Sequence, residues 1–226
     1  MAQDPKKRQK AIQRKTAKRK QKLAKFKQLA PFSSHTLLRQ AGDWSLREVL
    51  LSEEWDKEAA LVQILIARQS SLGQIATGVF LVDLGCLGVK NAYARLFSSY
   101  SEYQTLRQSF LSSEPIISAD LNLAAKIIQE GIAYAHQLGF EPDPDYREAR
   151  WLLGNADPTD CLDPVPLGGP DGKPLFVAGP YDNVSKIIAK LTKAVGPDGF
   201  HYLVPLAPDT ELFIDDELDE ENEPEE

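Results

Sequence analysis

Ile75-Ala-Thr-Gly-Val-Phe-Leu-Val-Asp83-Leu-Gly85-Cys-Leu-Gly88-Val-Lys90-Asn-Ala-Tyr-Ala-Arg-Leu-Phe97 is the stretch on which the fold turns. Its first part is a continuous apolar run, rich in β-branched and aromatic residues and short enough for a buried strand. Gly85 and Gly88 bracket a tight connection, and the chain from Val89 resumes at helical spacing. The expectation is a strand, a turn and a helix, with one acid, Asp83, held inside the strand.

Upstream, Ala60 to Arg68 reads as a second strand, and Ser70 to Gln74, with Gly73, as the loop joining the two into a hairpin. Ser45-Leu-Arg-Glu48 has the pattern of a capping box, which predicts a short helix to about Trp55 with Leu46, Val49 and Leu50 as its buried side. Downstream, Ser98 to Ser113 is polar and aromatic and partly helical. Ser118 caps an amphipathic helix from Ala119 to about Leu138, whose stripe is Leu121, Ala124, Ala125, Ile128, Ile132 and Ala135, with Gly139 as its stop. Asp145 caps a short helix from Tyr146 to Leu153, and 154–174 is a loop dense in Pro, Gly and Asp. Leu175 to Ala178, a helix from Asp182 to Gly196, and Phe200 to Leu206 have the strand–helix–strand form of a βαβ unit. The fold class is therefore α+β: a small mixed sheet, made of the central hairpin and the βαβ-like unit, covered by helices.

The 226 residues carry a formal net charge of −7, which conceals a strong asymmetry. Residues 1–28 hold twelve Lys or Arg and one acid, whereas 215–226 hold nine acids and no base. The predicted organisation is a basic arm over 1–29, helical or disordered, one globular domain over 30–208, and an acidic disordered tail over 209–226. The bases are Lys6, Lys7, Arg8, Lys10, Arg14, Lys15, Lys18, Arg19, Lys20, Lys22, Lys25 and Lys27. They would fall on every face of a helix. That suits a surround of phosphates and not a membrane surface, which needs a wide apolar face. RNA or a ribonucleoprotein such as the ribosome is the expected partner, and the acidic body is expected to avoid phosphate and to contact protein or act as a spacer. Regulatory charged termini on a protein-interaction module are the alternative without nucleic acid. The layout, a basic arm on a small α+β body, resembles that of many ribosome-associated proteins. The tail, with its nine negative charges, is also suited to compete with nucleic acid for the arm.

The enzymatic alternative is a metal-dependent nuclease centred on Asp83. An acid at the end of an apolar strand resembles the position at which RNase H-like nucleases hold their first magnesium ligand. Such a site needs several converging carboxylates. Asp120, Asp143, Asp145 and Asp182 are available, but no spacing ties them together. The competing reading has Asp83 capping the following turn or pairing with Lys90. A thiolate pair of Cys86 with His136 or His201 is a further candidate, without a sequence context that marks the thiol as activated. No cofactor fingerprint, phosphate loop or zinc-ligand spacing is present, so neither cofactor nor metal is expected. Two cysteines without a CxxC pair, no apolar run of membrane-spanning length and no secretory h-region after the basic segment predict a cytoplasmic protein.

Overall fold

The computed structural model describes residues 34–204; the twelve bases of the arm and the acids of 215–226 lie outside them. A short helix α1 (Ser34–Gln40) leads through a 3-10 turn into strand β1 (Ser45–Ser52). Strands β2 (Leu61–Gln69), β3 (Ile75–Asp83) and β4 (Gly88–Phe97) follow as consecutive hairpins, and after helix α2 (Tyr100–Leu111) comes the short β5 (Ile116–Ser118). These five form one antiparallel sheet in the order β4-β3-β2-β1-β5. Helix α3 (Leu121–Gln137) and the single-turn α4 (Tyr146–Ala149), which continues as a 3-10 turn, complete the first part. The chain then forms β6 (Leu175–Val177), α5 (Val184–Val195) and β7 (His201–Leu203).

The expected hairpin of β2 with β3 is present, with Val62 opposite Val82 and Ile66 opposite Gly78. The βαβ unit is present too, its two strands parallel. It forms a separate two-stranded sheet instead of joining the first, so the single mixed sheet is corrected to an antiparallel sheet of five strands plus a parallel pair.

Two expected helices are strands. The segment from Val89 is β4, and the segment from Ser45 is β1. A capping interaction is worth about 1 kcal/mol, whereas burying a Val or Leu side chain is worth about 1.5–3 kcal/mol. Val49, Leu50 and Leu51 are consecutive and all buried. Val49 and Leu51 enter the core under α3, and Leu50 enters the core under α2. Only an extended chain between two layers buries all three. The α3 layer also takes Val62, Ile64, Ile66, Phe80, Val82 and Ile128; the α2 layer takes Leu65, Ile75, Phe97, Tyr103 and Phe110. A third core joins the β3–β4 turn to the C-terminal unit through Cys86, Leu87, Leu138, Phe140, Phe176 and Leu191.

Helix caps follow local chemistry. Asp120, not Ser118, caps α3 by accepting from the Asn122 amide at 2.7 Å, because Ile116 to Ser118 is spent pairing with β1. Asn183 caps α5 by accepting from the Lys186 amide, which leaves the preceding Asp182 free for a tertiary contact. Gly139 takes the positive φ of 81° that ends α3.

Candidate functional site

Asp83 closes β3 and is 7% exposed. Its Oδ1 accepts from the amides of Cys86 at 2.9 Å and Leu87 at 3.2 Å, which holds the tight turn into β4. Burial pushes its carboxyl above the ordinary carboxylate range, against the opposing pull of those two amides and of the Lys90 ammonium. Lys90 itself pairs with Asp182, Nζ to Oδ2 at 2.8 Å, and the Gly179 amide donates to the same oxygen. The turn and the C-terminal unit are thus joined by a polar seam of Asp83, Lys90 and Asp182 beside the third apolar core.

The carboxylates that a two-metal site would need do not converge here. Asp120 caps α3, and the Oδ1 of Asp143 accepts from the Asp145 amide at 2.9 Å. Among the described residues no group of three or more His, Cys, Asp and Glu could hold a metal ion. Cys86 is fully buried among Leu87, Leu138 and Phe176, where burial and the Asp83 carboxyl push its thiol well above its ordinary value. His136 faces Glu141 at 3.2 Å, and His201 lies 4.0 Å from Asp171, so neither histidine is spent on Cys86.

A second polar cluster lies where sequence reading placed a helix. β1 carries a bulge between Leu46 and Glu48, which leaves Arg47 without a partner in the register. The guanidinium of Arg47 stands 4.4 Å over the Tyr100 ring and donates to Gln69 Oε1 at 2.6 Å. Glu48 accepts the Tyr103 hydroxyl and the Nε of Arg107, at 3.0 and 2.9 Å to its two oxygens. Arg47, Glu48, Gln69, Tyr100 and Arg107 line an open depression of about 500 Å³. Every charge in it already has a partner, so its evident work is to clamp α2 to β1. The signal that would have found it is the alternation of Glu48 and Leu50 on one face, hidden by the extra residue.

Arg68 is a third buried charge and is 3% exposed. It donates from Nε to Leu152 O at 2.7 Å, and from its two terminal nitrogens to Trp44 O at 2.9 Å and Leu153 O at 3.0 Å. It ties together the two neighbouring 3-10 turns, the one before β1 and the one after α4, a structural role. The described body therefore contains charge clusters that are satisfied internally. None of the described helices is long and apolar enough to cross a membrane. Compared with known proteins, the chain matches no family model, and neither the curated proteins nor the solved structures yield a match.

Proposed function

We propose that this chain is a nucleic-acid-binding accessory protein that engages RNA or a ribonucleoprotein such as the ribosome through phosphate contacts of its basic N-terminal segment. The observation that carries the reading is charge segregation: twelve Lys or Arg against one acid in residues 1–28, followed by fourteen against twenty-one in 34–204. Evenly mixed charge would serve solubility alone; a block of one sign concentrates counterions, whose release on meeting phosphates drives association. Lys6 through Lys27 supply the contacts, and the body spaces the arm or docks on a protein component. Asp83 has no part in this reading, since its Oδ1 already holds two backbone amides.

The test is purification of the full chain and of a chain lacking residues 1–28 from cells, across a salt series, with the bound nucleic acid measured. The reading expects RNA on the full chain at low salt, absent after truncation and lost at high salt. Equal RNA on both chains, or none on either, overturns it.

A further inference from the structure

Charge is segregated within the body as well. Residues 34–172 carry ten Lys or Arg against nineteen acids, whereas 173–204 carry four Lys against two Asp. One of those two, Asp182, is neutralised by Lys90. Helix α5 contains three lysines and no acid. Lys186, Lys190 and Lys193 are spaced i, i+4 and i+7, which puts them on one face. The opposite face, Val184, Ile187, Ile188 and Leu191, packs into the core with Phe140 and Phe176.

That apolar face is therefore occupied and unavailable to lipid, which separates this helix from an interfacial membrane anchor. Lys190 donates to Gly139 O at 2.9 Å and lies 5.0 Å from the Phe140 ring centre, so it is held in place. Lys186 and Lys193 make no salt bridge among the described residues. Two exposed tyrosines belong to the same strand–helix–strand unit. Tyr181 lies just before α5 and is 60% exposed; Tyr202 is 56% exposed and in register with Phe176, hence on the sheet face that carries α5.

We infer that the outer face of α5, with Tyr181 and Tyr202, is a second contact site for single-stranded RNA on the body. The lysines meet successive phosphates, and the tyrosines offer flat faces on which bases stack irrespective of sequence. The inference rests on the RNA-binding reading of the arm and names where the strand continues after leaving it.

The test is titration of the full chain with a labelled mixed-sequence single-stranded RNA over a salt series, comparing the natural chain with K186Q/K193Q and with Y181A/Y202A. Each phosphate contact steepens the salt dependence on single strands by about 0.7, so K186Q/K193Q should flatten the slope by about 1.4. Y181A/Y202A should weaken binding by about tenfold or more with the slope unchanged. An unchanged slope in K186Q/K193Q overturns the inference while the arm reading stands; that result is expected if the stripe is a solvated face or holds the chain's own acidic residues. Failure of the natural chain to bind the RNA overturns both.

Discussion

Asp83 carries a buried carboxylate whose work is to hold two amides of a tight turn. Asn presents the same acceptor without a charge, whereas Ala leaves both amides unpaired, at about 1–3 kcal/mol for each buried group left without a partner. Because burial raises this carboxyl in the folded chain, the folded state holds its proton to higher pH than the unfolded state does. Stability from this group is therefore lost as pH rises from the unfolded value, near 3.9, through the folded one. Asp83→Asn is expected to be at least as stable as the natural chain at neutral pH, with an advantage that shrinks on acidification. Asp83→Ala is expected to be less stable throughout. Urea midpoints measured across pH check both. At Arg68 three carbonyls share one guanidinium, a planar fork that no other side chain reproduces. Arg68→Met should cost about 3–5 kcal/mol, and Arg68→Lys should recover only part of it; thermal and urea denaturation give the comparison.

Two strands, β1 and β4, carry a helix-like apolar spacing for one physical reason. The pairing of β3 with β4 shifts between Leu81 and Val82, so that Leu81 faces Asn91 and Val82 faces Val89, with Lys90 left over. That one extra residue converts alternation into apolar positions at Val89, Ala92, Tyr93, Leu96 and Phe97, the spacing i, i+3, i+4, i+7 and i+8 of an amphipathic helix. The bulge at Arg47 does the same to Leu46, Val49 and Leu50. Both bulges project a charged side chain into a polar cluster, Lys90 into the seam with Asp182 and Arg47 over Tyr100. The helix-like spacing and the clusters have one cause. Strands without a bulge are legible, β3 as a continuous apolar run and β2 from its β-branched and apolar residues before a glycine-containing loop, and α3 from its stripe and Gly139. The βαβ order is legible too, but the side-chain caps are not: Asp120 caps α3 in place of Ser118, and Ser45 opens a strand. The Arg68 clamp is not legible, since two of its three acceptors lie more than eighty residues away in Leu152 and Leu153. Close approach of the β3–β4 turn to α3 depends on Gly88, whose φ is 65° and whose added Cβ would stand 2.8 Å from Ala135 Cβ and 2.9 Å from Gly131 O. Gly88→Ala should therefore destabilise by roughly 2–4 kcal/mol, seen as a lower urea midpoint with unchanged slope.

Across the whole molecule, charge changes sign along the chain: strongly positive in 1–28, negative through 34–172, weakly positive in 173–204 and strongly negative in 215–226. In the proposed account the two positive blocks meet the same polyanion, and the terminal acids compete for them. Deleting 215–226 should then raise RNA affinity severalfold at low salt and have little effect at high salt, because exposed charges are screened beyond about 10 Å at 0.1 M; binding isotherms at two ionic strengths decide it. The most direct measurement is the slope of log Kobs against log salt for single-stranded RNA, taken on the full chain and on a chain with its nine arm lysines changed to Gln. With half to all of the twelve arm cations on phosphates, the account predicts a slope of roughly −4 to −8 from the arm in addition to the roughly −2 from α5, falling in the variant to roughly −2 to −4, the share of α5 and the three remaining arm arginines. Binding with the same slope in both chains, or no binding by the full chain, would contradict it.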